Sequence, residues 1–201
     1  IVESLLEDLE SNLENYQAVI INEQIIHGYH NEAFQQGLSK LIERYEEKCL
    51  WITDCRNLND VYNRSIRKLN IQEARSLFTE INKTKTALPD NKSIVMWLNS
   101  HWGKAVVVTL GEEGAIAADR NGEIKEVAGI NLIGQKDTVG AGDAFLAGMA
   151  LSLASGCTMQ EALETGNFSA SVSVTKLYET GHPSADEVLK MGTSPDYRYM
   201  P

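Results

Sequence analysis

Apolar and polar positions along this chain alternate between two periods. Ile1, Leu5, Leu6, Leu9 and Leu13 recur at helical spacing among acids, which predicts an amphipathic helix over residues 1–15. Ala18-Val19-Ile20-Ile21 is a short apolar run of the kind a buried parallel strand makes, and it ends in the polar Asn22-Glu23-Gln24. Asn31 can cap a helix carrying Phe34, Leu38, Leu41 and Ile42, after which Cys49 to Thr53 makes a second strand ending at Asp54. Residues 61–69 show no clear period. A helix follows through Ala74, Leu77, Phe78 and Ile81, then another through Ile94, Val95, Leu98 and Trp102 behind Pro89-Asp90-Asn91. Lys104 to Leu110, with Val106-Val107-Val108 at its centre, is the plainest strand, and residues 115–118 and 123–127 read as a hairpin because Asn121-Gly122 favours positive φ. Thereafter the chain is helical, with one helix opening at about residue 141, a second capped by Thr158, and a short last one from Ser184 to Lys190. Strands alternating with helices predict an α/β domain with a mostly parallel sheet.

Composition narrows the setting. The 201 residues, 43% of them apolar, suffice for one core, and no uninterrupted apolar run approaches the ~18 residues of a membrane span. A net charge of −10 argues against nucleic acid or an anionic membrane as partner. Cys49, Cys55 and Cys157 form no C-x-x-C and cannot all pair, which fits a reducing cytoplasm. The four histidines lack metal-ligand spacing, so no transition-metal site is expected. The chain opens on Ile1 without a leader-like pattern and reads as an internal start, hence as a fragment of a longer protein.

The most informative stretch is Asp137-Thr138-Val139-Gly140-Ala141-Gly142-Asp143, running into apolar Ala144 to Ala150. First-turn amides and a macrodipole of roughly half a positive charge make a helix N-terminus a site for anions, and glycines let a phosphate approach. Asp143 would repel that phosphate, so it reads either as a general base beside it or as an ordinary N-cap. Two other places invite function, each with a plain alternative. Asn70-x-x-Glu73 matches a capping box, and Asp54, Arg56 and Asn57 follow a strand, where loops hold both ligand groups and ordinary polar residues. A dinucleotide-binding oxidoreductase is excluded, because no G-x-G-x-x-G follows an early strand.

The unbroken D-T-x-G-A-G-D at Asp137 to Asp143 resembles the C-terminal signature of the PfkB (ribokinase-like) carbohydrate kinases. Asn70-x-x-Glu73, Thr109-x-Gly111-x-x-Gly114 and the Gly181 to Ser184 loop follow that family's order, so the likeness runs from about Ala18 to Lys190. It implies a three-layer ribokinase-like fold, a central mostly parallel sheet between helices. Residues 1–190 would be the C-terminal two-thirds of such a domain and residues 191–201 a tail. It further implies an ATP-dependent kinase acting on a sugar or sugar phosphate, with Asp143 as base and Gly140, Ala141 and Gly142 as anion hole. Thr109, Gly111, Gly114 and Asn167 would lie along the nucleotide, and Asn70 and Glu73 would arrange Mg2+ and phosphate through water. Asp137 and Ser184 would belong to the monovalent-cation site, K+ for instance, that many members have.

The departures define what is expected to be missing. The family's N-terminal part, with its glycine pair, most sugar-binding residues and β-strand lid, has no counterpart here, and that lid is where homodimers of the intact proteins often form. Asn22-Glu23-Gln24 also differs from the turn found in sugar-phosphate kinases, which leaves the sugar open, with a distant likeness to the heptose-phosphate branch. The alternative is a member that binds nucleotide or sugar without turnover.

Overall fold

The computed structural model describes residues 1–25, 28–83, 87–178 and 180–193. His27 and the expected tail from residue 194 onward lie outside them. Among the described residues, six strands follow one another in the sheet order β1-β2-β3-β4-β5-β6, and helices accompany them in the α/β alternation expected of a ribokinase-like fold. The chain divides into two compact units, one of residues 1–107 and 118–122, the other of residues 108–117 and those from 123 onward; β4 (Val106–Thr109) contributes to both.

The first unit opens with α1 (Val2–Asn12) and a 3₁₀ turn at Leu13–Asn15, then β1 (Ala18–Glu23), α2 (Glu32–Tyr45) and β2 (Leu50–Cys55). It continues with β3 (Ile66–Asn70), α3 (Ile71–Asn82) and α4 (Asn91–Trp102). β1, β2 and β3 are parallel, with Ile21 beside Thr53, Glu23 beside Cys55, and Thr53 beside Arg67. Because side chains alternate along a strand, Ile21, Trp51 and Cys55 share a face, and Leu38, Leu41 and Ile42 of α2 close a core on it. Each such fully buried side chain contributes about 1.5–3 kcal/mol. Gly37 lets α1 approach α2, since a Cβ there would stand 2.2 Å from Leu6 Cδ1. The helix starts follow the predicted chemistry: the Asn31 side chain accepts from Phe34 N, and the Asp90 side chain accepts from Ser93 N.

β3 corrects the reading of residues 61–69 as aperiodic. Its centre, Arg67-Lys68, is charged yet buried, against every hydropathy rule for a strand. Burial is possible because each charge is met. Arg67 donates from Nε to Asn59 O (2.8 Å) and stacks 4.4 Å from the Trp102 ring, while Lys68 Nζ meets Asp54 Oδ2 at 2.7 Å. Burial pushes the Arg67 guanidinium down to about 10, so it keeps its charge at neutral pH.

The second unit holds β5 (Gly114–Ala118), β6 (Ile124–Ala128), α5 (Ala141–Ala154), α6 (Met159–Thr175) and α7 (Ala185–Thr193). α7 extends three residues into the segment expected as tail, with Gly192 packed 3.3 Å from the Phe168 ring when a Cβ is placed on it. α5 and α6 cross closely at small residues: a Cβ on Gly148 would lie 2.3 Å from Ser169 Oγ, and one on Gly166 would lie 3.0 Å from Phe145 O. Thr158 and Glu161 form the capping box that starts α6.

Candidate functional site

In the second unit the site is built on the start of α5. Gly140 is its N-cap at φ 79°, a left-handed conformation that glycine adopts without strain. Asp143 is therefore not the cap that one reading allowed; it is the third residue of the first turn, and it is exposed. Behind it Ala144, Phe145 and Leu146 are buried, so a fixed helix carries an outward-facing carboxylate beside its positive end. The three glycine-turn residues differ in what they offer. Ala141 N turns back to Thr138 O (3.2 Å), whereas the following first-turn amides point out along the helix axis.

The remaining predicted residues of this unit fall into two groups. Asp137 is tied to the same turn, its Oδ1 accepting from Val139 N (3.0 Å) and its Oδ2 from Tyr178 N (3.3 Å), while its own amide donates to Val174 O (2.9 Å). A recess of about 310 Å³ opens there, lined by Gln135, Lys136, Asp137, Leu177 and Tyr178. Ser184 caps α7: its hydroxyl donates to Glu187 Oε2 (2.8 Å) and accepts from Glu187 N (3.3 Å). Thr109 ends β4, and Gly111 begins a 3₁₀ turn at φ 67°. Gly114 has a structural reason for being glycine, because a Cβ would stand 2.0 Å from Val127 O. Asn167 is buried and donates from Nδ2 to Ala128 O (2.8 Å), which fixes α6 to the end of β6.

In the first unit, the C-terminal ends of the parallel strands gather polar groups, where open α/β sheets keep their ligands. Asn70, at the end of β3, and Glu73 form the reciprocal box: Asn70 Oδ1 accepts from Glu73 N (2.9 Å) and Glu73 Oε2 accepts from Asn70 N (2.8 Å). A carboxylate has acceptor capacity beyond one such bond, so the box leaves Glu73 chemically able to face a hydrated cation. Glu23 ends β1 buried and receives Asn57 N (2.9 Å) and Asn57 Nδ2 (3.1 Å). Asp54 is engaged by Lys68, and Arg56 is exposed. Beside Glu23, His30 Nδ1 and the Tyr62 hydroxyl share a hydrogen bond; desolvation lowers the imidazole pKa and raises that of the phenol. Burial pushes the Cys55 thiol up to about 12, so it is inert.

The sequence reading passed over Lys68, Arg67 and Lys176. The first two sit between Ile66 and Leu69 immediately before Asn70, and a basic pair so placed could have been noticed. Lys176 has no local signature; its partners are six and eleven residues further on.

Comparison with known proteins gives the context. The crystal structure of phosphofructokinase-2 from Escherichia coli in complex with potassium is similar at a TM-score of 0.73 and 24% identity, over 94% of this chain and 61% of that one. Ribokinase from Thermotoga maritima is similar at 0.71 and 20% identity, over 90% of this chain and 58% of that one. In sequence, the bifunctional protein HldE of Bradyrhizobium diazoefficiens is 40% identical over 74 residues, which is 37% of this chain and 15% of the relative. The chain thus spans less than two-thirds of the length of each of these relatives. The profile described as pfkB family carbohydrate kinase matches residues 4–184, nearly the entire chain, and on that match this protein belongs to the pfkB family of carbohydrate kinases.

Proposed function

We propose that this chain carries the phosphoryl-transfer part of an ATP-dependent kinase whose acceptor is a hydroxyl of a sugar or sugar phosphate. The observation that carries the reading is the left-handed Gly140 cap, which sets Asp143 in the first turn of a buried helix. In this reading Asp143 takes the proton of the attacking hydroxyl as its oxygen bonds to the γ-phosphorus and the bond to the ADP oxygen breaks. The α5 dipole and the turn at Gly140, Ala141 and Gly142, whose amides beyond Ala141 N point out along the helix axis, stabilise the charge that develops on the transferring phosphoryl group. Thr109, Gly111 and Gly114 lie along the nucleotide and Asn167 near its base.

Mg2+ would be held through water by Asn70 and Glu73, whose mutual hydrogen bonds favour an outer position over direct ligation. When bound, it supplies neutralisation of phosphate charge. The protein's own contribution on that side is to fix Asn70 at the end of β3 through the buried neighbours Leu69 and Ala74.

The test is transfer from ATP to a panel of sugars and sugar phosphates, with ATP binding followed separately. Asp143→Asn should lower turnover ~10²–10⁴-fold and leave ATP affinity within a few-fold. Unchanged turnover in that variant rejects Asp143 as base. An ATP-dependent thermal shift without transfer to any acceptor would instead identify a binding member without turnover.

A further inference from the structure

An ion pair joins two turns of the second unit. Lys136 Nζ, on the residue that precedes Asp137, meets Glu112 Oε1 at 3.0 Å, and Glu112 stands on the 3₁₀ turn that Gly111 begins. The backbone is fixed at both ends of this pair. At the Glu112 end, Leu110 N donates to Gly114 O (2.8 Å) and Gly129 N to Glu113 O (3.0 Å), and a Cβ on Gly129 would stand 1.7 Å from Glu112 O. At the Lys136 end, Asp137 N donates to Val174 O (2.9 Å), and the Asp137 carboxylate accepts from Val139 N in the turn that leads to the Gly140 cap. The side chains are held less firmly: Glu112 is 68% exposed and Lys136 26%. An ion pair with one partner so far into water is weak, because solvent and salt screen it and both side chains lose freedom in making it. Lys136 is therefore able to change partner.

The charge around the turn favours such a change when an anion arrives. The chain has a net charge of −10, and Glu112 and Glu113 both stand exposed on a turn that the kinase reading places along the nucleotide. A polyphosphate is repelled there unless a cation is at hand, and the start of α5 supplies only a partial charge. Other lysines of this unit are engaged elsewhere, Lys125 with Glu123 in the β5–β6 hairpin and Lys176 with Glu187 at the start of α7. Lys136 lies within reach. The four residues from it to Gly140 span at most ~14 Å when fully extended, and the bond from Ala141 N to Thr138 O (3.2 Å) folds part of that span into a turn.

We propose that Lys136 is a phosphate-binding residue of this site, and that Glu112 holds its ammonium until a nucleotide draws it away. The proposal rests on the kinase reading of the α5 turn and adds to it a residue that no motif marks. On binding, the ammonium leaves Glu112 and donates to an oxygen of the polyphosphate, a charge-assisted bond to a group of higher negative charge. Glu112 is then a competing anion. The two residues thus act in opposite directions on nucleotide affinity, which a purely structural ion pair would not do.

The experiment uses the full chain and its variants Lys136→Met, Lys136→Arg and Glu112→Gln. ADP binding is measured by calorimetry at low and high salt, with inorganic pyrophosphate as competitor, and thermal unfolding is followed without ligand. Lys136→Met should bind ADP and pyrophosphate about tenfold more weakly, the size of one charge-assisted hydrogen bond, while Lys136→Arg stays within about threefold of the unchanged protein. Glu112→Gln should bind both about two- to threefold more tightly, an advantage that shrinks as salt rises. All three should unfold within about 2 °C of the unchanged protein, as the loss of an exposed pair implies. Weakening by Lys136→Met and Glu112→Gln alike would reveal a structural link and overturn the proposal. So would an ADP affinity unaltered by Lys136→Met, or a loss for ADP that pyrophosphate does not share. If Lys136→Met does not fold, Glu112→Gln decides, tighter binding supporting the proposal and equal or weaker binding rejecting it. If no form binds ADP or pyrophosphate, the kinase reading fails and takes the proposal with it; binding by every form with equal affinity rejects the role of Lys136 and leaves that reading standing.

Discussion

His30 shows how a single side chain is set by burial. Its ring stacks on Tyr29, its Nδ1 shares a hydrogen bond with Tyr62, and its pKa lies below the ordinary 6.5, lowered first by desolvation and raised in part by Glu23. A histidine with a depressed folded pKa binds fewer protons folded than unfolded, so its stabilising effect is complete above pH 6.5 and is lost as pH falls below it. Urea unfolding followed between pH 7.5 and 5 should therefore show a fall in stability that His30→Gln flattens; equal slopes in the two proteins would refute the assignment. Glu187 behaves in the same direction at lower pH. The Ser184 amide and Lys176 hold its carboxyl at about 2, so its contribution is present above about 4.5 and disappears as pH drops through 2.

At the scale of elements, β3 and its following helix decide most. The strand buries Lys68 against Asp54, with 7% and 9% of the side chains exposed. Removing one partner strands the other charge, so Lys68→Met should cost about 3–5 kcal/mol in urea unfolding, and the double change Lys68→Met with Asp54→Leu should recover most of it. A double variant as unstable as the single one would show that the pair is worth more than its apolar replacement. The box at Asn70 and Glu73 allows cap and cation roles to be separated. Serine caps as well as asparagine, so Asn70→Ser should alter stability by no more than a few tenths of a kcal/mol. If Asn70 also orders magnesium water, the same variant needs several-fold more Mg2+ for half-maximal turnover; unchanged Mg2+ dependence would leave Asn70 as a cap alone.

For the molecule as a whole, the governing facts are its edge and its charge. β1 ends the strand order, Ile20 on it is 41% exposed, and Tyr16 just before it is 48% exposed. An open strand edge bearing exposed apolar side chains is a template for pairing with another chain. Sedimentation should show concentration-dependent association that Ile20→Lys reduces; a monomer at every concentration in the unchanged protein would contradict this. The net charge of −10 opposes such pairing through repulsion, so association should strengthen as salt rises.

The sequence by itself determined the α/β alternation, the helix starts and the glycine turn that opens α5. Each is local: Asn31, Asp90 and Thr158 cap within three residues, Asn70 and Glu73 close a box within three, and seven contiguous residues from Asp137 make the turn and the first residues of α5. Tertiary structure decided what local pattern cannot express. Arg67 and Lys68 became the centre of a strand only because Trp102, Asn59 and Asp54, distant in sequence, meet their charges. Gly114 and Gly181 turned out to be required by Val127 and Ser173, which a Cβ would strike. Asp143 stood out in sequence as an acid at a helix start, but its place there was not legible: the left-handed turn at Gly140 made that glycine the cap and moved the acid into the first turn. Short-range hydrogen bonding is encoded in neighbouring residues, whereas the compensation of a buried charge and the close approach of two backbones depend on which segments the fold brings together.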